Sequence, residues 1–269
     1  MIALRIMGGA LALCVATTAT AQDVRFVACP IYRDTNYHES NPDHHGRRTG
    51  CWLVDDPETG IRYDVNDSWS KPDFAYGVLV EGDIKEGAED TCGGIQLGPV
   101  RTSILYDREC PRRSLMAEGY TSRPPLFSER YVMPGFVERD LPDPPYRTMT
   151  FSPTFDFDSA FMTFNLSDYA LDQAIYYYRQ VGADNVSKVI VTGWAATEPE
   201  VISGVTLAER LEVAQERVDG IVTTLLRMGI PEDRIETHAY GNAEVSDTEY
   251  ADGLEETSRR RADITVVVD

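Results

Sequence analysis

Three clusters in this chain combine residue types and spacings that could do chemistry. The first is cysteine. Cys29, Cys51, Cys92 and Cys110 all lie in the first half, are even in number and show no C-x-x-C spacing. That pattern favours two disulfides in an oxidising compartment over a zinc site. Three connectivities are open; neighbour pairing, Cys29–Cys51 and Cys92–Cys110, would close two short loops. The second is His38, Glu39, Asp43, His44 and His45, which hold three of the chain's four histidines. Imidazoles and carboxylates this close could bind zinc or copper. The stretch is also punctuated by Asn41-Pro42 and Gly46, as a polar loop is, and it is read as that loop with no metal assigned. The third is Arg259-Arg260-Arg261, which reads as the start of a final strand or as a glycan or peptide contact. Catalytic signatures are missing: there is no G-x-S-x-G elbow, H-E-x-x-H helix, P-loop or dinucleotide fingerprint. His238 stands alone on an expected strand and is read as structural, and oxidised cysteines leave no thiol nucleophile. The expectation is a protein that is not an enzyme and carries no cofactor.

Composition narrows the partners. The chain has 269 residues, a hydrophobic content of 42% and a formal net charge of −19. It is long enough for two domains with buried cores. The charge opposes binding to nucleic acid or to an anionic membrane surface. Residues 1–21 carry Arg5 as their one charge, an apolar run from Ile6 to Ala16 and the small-residue exit Ala19-Thr20-Ala21, the layout of a cleaved signal peptide. Cys14 follows Leu13 rather than the small residue of a lipoprotein site, so a soluble exported product is expected. The expected compartment is the periplasm, with association to the outer membrane or cell wall.

The elements that must position these residues fall into three stretches. Residues 22–121 read as a small β-rich domain stapled by the disulfides. Its expected strands are Val24–Ala28, Cys51–Asp55, Ile61–Val65, Tyr76–Gly82 and Arg101–Asp107, each bounded by turn formers. An antiparallel sandwich or open barrel is expected. Residues 122–147 hold Pro124, Pro125, Pro134, Pro142, Pro144 and Pro145 and read as a stiff linker. Residues 148–269 read as a strand (Phe155–Phe161), helix (Leu166–Gly182), strand (Lys188–Ala195), long helix (Leu207–Pro231) and two strands (Asp233–Gly241 and Ser258–Val268). Leu171, Ala174, Ile175, Tyr178 and Val181 form one apolar stripe, capped by Asn165 or Ser167 and ended by Gly182. Leu211, Ala214, Val218, Ile221 and Leu225 form another, ended by Gly229 and Pro231. Val189-Ile190-Val191 reads as a strand covered on both faces. The overall expectation is an α+β protein: a disulfide-stapled β-rich domain followed by a sandwich with both helices packed on one sheet.

Four features of residues 149–268 resemble the OmpA-like C-terminal domain family, which holds peptidoglycan noncovalently. They are the F-x-F of Phe155-Asp156-Phe157, the glycine-ended strand at Gly193, Arg217-Val218 at a fixed distance before Gly229-Ile230-Pro231, and Arg259-Arg260-Arg261-Ala262 opening the last strand. The resemblance implies a site for a stem peptide ending in diaminopimelate, with Arg217 clamping its carboxylate and Gly193, Trp194, Ala195 and Glu198 around it. A bidentate arginine fork suits a carboxylate, and a carboxylate with loop carbonyls suits the neighbouring ammonium. The alternative for Arg217 is a solvated helix position paired with Glu212 or Glu216. The chain departs from the family where the ammonium should sit: the expected aspartate is Ala196, the usual helix asparagine is Arg210, and the loop Thr197–Thr206 is longer. Glu198 or Glu200 is the candidate replacement. Three functions follow. The first is a periplasmic protein that binds peptidoglycan stem peptides, with its β-rich domain on another envelope protein. The second is an adaptor that keeps the fold for protein contacts after losing the muropeptide site. The third, more distant, is an exported metal-binding protein or enzyme using the histidine cluster.

Overall fold

The computed structural model describes residues 23–35, 50–88, 90, 92–120, 142–162, 168–246 and 249–269. The expected leader, the histidine cluster, most of the proline-rich stretch and both candidate caps, Asn165 and Ser167, lie outside the described residues.

The first half is a seven-stranded sheet: β1 (Asp23–Ala28), β2 (Pro30–Arg33), β3 (Cys51–Asp55), β4 (Arg62–Asp64), β5 (Tyr76–Ile84), β6 (Ile95–Glu109) and β7 (Arg113–Leu115), in the order β1-β5-β6-β4-β3-β2-β7. All five expected strands form. β2 and β7 were not expected, being short and bounded by proline or arginine. The sheet is mixed rather than antiparallel, because β4 runs parallel to β6 and β2 parallel to β7. The cause is the 15-residue β6, whose first residues pair with β4 while the rest pair with β5. The sheet curls on itself: Phe26 of β1 meets Tyr63 of β4 at 5.6 Å between ring centroids, although β5 and β6 lie between their strands in sheet order. Val24, Val54, Val78, Val80 and Leu97 fill the space enclosed.

The four cysteines form two disulfides, Cys29–Cys110 and Cys51–Cys92, one nested within the other. Their sequence separations are 81 and 41 residues. In the chain-entropy picture loops of this length confer about 4 kcal/mol each, more than neighbour pairing would.

The second half contains β8 (Met149–Phe151), α1 (Asp168–Val181), β9 (Val186–Trp194), β10 (Glu200–Ile202), β11 (Val205–Leu207), α2 (Glu212–Arg227), β12 (Ile235–Tyr240), α3 (Glu255–Ser258) and β13 (Ala262–Val268). The sheet order is β12-β9-β13-β8, with β12 parallel to β9 and the other pairs antiparallel. Helices α1 and α2 cover one face, through the stripes expected for them: Leu171, Ala174, Ile175 and Tyr178, and Val218, Ile221 and Leu225. Gly182 and Gly229 end them with positive φ.

Three expectations need correction. Leu211 is 55% exposed, because it precedes the first helical residue, Glu212, and so lies off the stripe. Val189 and Val191 are buried under the helices, but Ile190 faces the open side of the sheet beside Glu236 and Thr265 and is half-buried. The F-x-F segment is not the first strand. Met149–Phe151 pairs with β13, Thr154 makes one bridge to Arg261, and residues 156–159 turn. Phe155 then drops into the core and Phe157 points toward the first half. Among the described residues no helix is long and apolar enough to cross a membrane.

The halves are welded rather than strung together. The loop longer than the family pattern forms the hairpin β10–β11, which sets Ile202 and Leu207 against Val27, Leu79 and Leu105 of the first sheet. Polar contacts surround that cluster. Ser203 Oγ accepts from the Val27 N–H at 3.2 Å, Ser103 Oγ accepts from the Phe157 N–H at 2.9 Å, and Arg101 donates to Thr154.

Candidate functional site

The site expected from the resemblance centres on Arg217, and the structure puts this side chain in the interior. It sits two turns into α2, on the face turned to the end of β9. Arg217 and Glu209 are both 0% exposed at the side chain and form an ion pair at 2.6 Å. The fork is bidentate: Nη2 reaches Oε1 at 2.6 Å and Nη1 reaches Oε2 at 3.1 Å. Every remaining donor is used. Nη1 donates to the Trp194 carbonyl at 2.5 Å, Nε to the Ser159 carbonyl at 3.0 Å and Nη2 to the Asp156 carbonyl at 3.4 Å, while the Phe155 ring lies 5.1 Å below the guanidinium.

Glu209 is equally committed. Its Oε2 accepts from the Ala196 N–H at 2.7 Å and its Oε1 from the Asp158 N–H at 2.8 Å, while its own N–H donates to the Ala196 carbonyl at 2.9 Å. A buried carboxylate held by an arginine fork and two backbone N–H groups is a complete carboxylate receptor. The carboxylate in it belongs to the chain. Neither Glu212 nor Glu216 pairs with Arg217; Glu216 pairs with Arg210, which also holds Asp158 at 2.8 Å.

The other expected site residues surround this pair. Gly193 lies on β9 facing α2, where an added Cβ would stand 2.1 Å from the Ala214 carbonyl oxygen. Its visible role is therefore to let helix and strand approach closely. Trp194 donates from Nε1 to Asp263 at 2.7 Å and lies under the Arg261 guanidinium at 5.2 Å. Ala195 is wholly buried against Val213 and Ala214. Ala196, at the aspartate position, offers its backbone to Glu209 instead of a side chain to a ligand. Glu198 lines a cavity of about 480 Å³ on the outer side of Ala196, with Asn242, Glu244 and Arg259 on its walls. Glu200 lines the same cavity and is paired there with Arg25 of the first half at 2.6 Å.

The arginine triplet is ion-paired within the chain, although Arg259 Nε is buried without an aligned hydrogen bond. Arg259 meets Glu256 at 3.0 Å and Arg261 meets Asp263 at 3.0 Å. Arg260 is buried and reaches across to Glu81 of β5, which also takes Arg25 at 3.1 Å and the Thr257 hydroxyl. Burial alone would push the Glu81 carboxyl up, but the charges and hydrogen bonds of Arg260 and then Arg25 outweigh it and hold the group below its ordinary range. For Arg260, burial works against the charge, and Glu81 raises its pKa regardless.

Sequence reasoning missed Glu209 and Glu81. Neither carries a local signal. Glu209 lies ahead of α2 in an irregular stretch, and Glu81 occupies an inward position of a strand, where acidic residues are rare unless paired.

No family model and no curated protein matches the chain. Among solved structures it is similar to the OmpA-like domain of FopA1 from Francisella tularensis, at 16% identity and a TM-score of 0.34, over 44% of this chain and 71% of that one. It is similar to the cell wall anchor of the T6SS from Pseudomonas aeruginosa, at 18% identity and a TM-score of 0.33, over 45% and 82%. A third likeness is the periplasmic domain of Helicobacter pylori MotB, at 14% identity and a TM-score of 0.31, over 45% and 82%. The first bears the name of the fold family that the sequence motifs resemble.

Proposed function

We propose that the chain is an exported cell-envelope protein whose C-terminal α/β module is a scaffold for contacts with other envelope proteins, its carboxylate clamp held shut by its own Glu209. The Arg217–Glu209 pair carries this reading. A stem-peptide carboxylate could use the clamp only by displacing a buried glutamate that the arginine fork and two backbone N–H groups already hold, so the ligand would have to outcompete a partner tethered in place. The two long-range disulfides and the leader-like residues 1–21 support export to an oxidising compartment. In this reading residues 122–147 link the two halves and no catalytic step is assigned.

The cavity beside Ala196 favours a second reading. A peptidoglycan stem peptide would there lie outside the clamp, meeting Glu198 with its ammonium, without direct use of Arg217 or of Gly193, Trp194 and Ala195, none of which lines the cavity. Co-sedimentation of the mature protein with purified sacculi separates the two. The scaffold reading expects the wild type to remain in the supernatant. Pelleting that free diaminopimelate competes away, and that Glu198→Gln abolishes, would replace it with the second reading.

A further inference from the structure

A second groove, on the other side of the junction, has the chemistry of a docking site. It measures about 480 Å³ and runs between β6, the turn at residues 156–159 and the path from β11 into α2. Two rings on it stand almost wholly in solvent, Tyr106 at 72% and Phe161 at 76% exposed. Paired exposed aromatics on a concave surface mark interaction sites more than scattered apolar residues do. Tyr106 is held in place by the edge of Tyr76, 5.3 Å away between centroids.

The polar groups on the same surface are acidic: Asp107, Asp156 and Asp158. Asp158 is taken by Arg210, and Asp156 accepts from the Ser70 hydroxyl with Oδ2 at 2.5 Å. The other Asp156 oxygen, Oδ1, is buried and has no donor. Asp107 has no ion-pair partner among the described residues. Asp156 Oδ1 is out of reach of solvent, so the carboxylate the groove offers to a partner is the exposed Asp107. Aromatic faces beside carboxylates suit a cation on an apolar stem, through cation–π contact and charge-assisted hydrogen bonds together. The net charge of −19 would draw such a partner in from a distance.

We propose that this groove docks an arginine-bearing segment of a partner protein, the guanidinium meeting the exposed Asp107 and its stem lying against Tyr106 and Phe161. The proposal deepens the scaffold reading by stating the partner's chemistry, yet none of the groups it uses belongs to the Arg217–Glu209 clamp. The test titrates the purified mature protein with a short acetylated, amidated peptide alternating arginine and leucine. The control is the same peptide with citrulline, which keeps the shape and removes the charge. Saturable binding of the arginine peptide is expected. It should weaken by about tenfold in both Tyr106→Ala/Phe161→Ala and Asp107→Asn, with no saturation by the citrulline peptide. The aromatic substitutions and Asp107→Asn all lie in solvent, so unchanged thermal melts accompany the expected result. Affinity within twofold of wild type in both variants, equal binding of citrulline, or no saturation of the wild type would each overturn the proposal. A chain that pellets with sacculi while losing arginine-peptide binding on Tyr106→Ala/Phe161→Ala would refute the scaffold reading and keep the groove.

Discussion

Glu209, the Trp194 and Ser159 carbonyls and the Phe155 ring enclose the Arg217 guanidinium, while Gly193 and Ala195 set how closely α2 lies on the end of β9. Gly193 is the most constrained, since any side chain would meet the Ala214 carbonyl and force α2 outward. Gly193→Ala should cost roughly 2–4 kcal/mol in urea unfolding, in line with overpacking a closed site. A loss under about 0.5 kcal/mol would show that α2 can slide and that the close approach is not required. Arg217 itself was legible as special from its distance to Gly229-Ile230-Pro231. Its partner was not, because one acidic residue among 44 has nothing in its neighbours to mark it. The backbone N–H groups of Ala196 and Asp158 that share Glu209 become neighbours only in the folded chain.

At the scale of elements, the hairpin β10–β11 does what neither sheet could do alone. Ile202 and Leu207 face the first half, and Val201 faces solvent, following the two-residue period of a strand. Leu207→Ala should destabilise by roughly 2–3 kcal/mol through the cavity it leaves. Val201→Ala, at an exposed position, should stay within about 0.5 kcal/mol. If the hairpin joins the halves cooperatively, calorimetry will show one transition for the wild type and two for Ile202→Asp, which puts a charge into the junction. A single transition in that variant would mean that the other contacts suffice. The excess length of Thr197–Thr206 was visible in the sequence, but not what it packs on. Its inward residues are complementary to Val27, Leu79 and Leu105, which lie far away along the chain.

For the whole molecule, the deciding contact is between Glu81 of the first half and Arg260 of the second. The folded-state pKa of Glu81 lies below its ordinary value of 4.5. The stability it contributes is therefore complete above about pH 4.5 and is lost as the pH falls through the folded-state value. The melting temperature of wild type should exceed that of Glu81→Gln at pH 7, and the gap should close as pH drops below about 4.5, where Glu81 becomes protonated and resembles glutamine. A gap that persists unchanged at pH 3 would mean that the carboxylate charge is not what joins the halves. Such a charge-dependent junction makes acid a probe of how the halves are held, while the disulfides keep the first half closed.

The sequence by itself determined both long helices and the longer strands, but not the short strands β2, β7 and β8 or the hairpin β10–β11. Apolar stripes at helical spacing, valine-rich strands, and glycine at the helix ends are local patterns, and local sterics and burial of one face are enough to read them. The cysteine count likewise implied two disulfides. The nesting of those disulfides, the curl of the first sheet, the closure of the Arg217 clamp by Glu209 and the pairing of Glu81 with Arg260 were decided only in three dimensions. Each joins residues far apart along the chain or in loops without periodicity. Their energies come from desolvated charge and loop closure, which depend on where the whole fold places them rather than on the residues beside them.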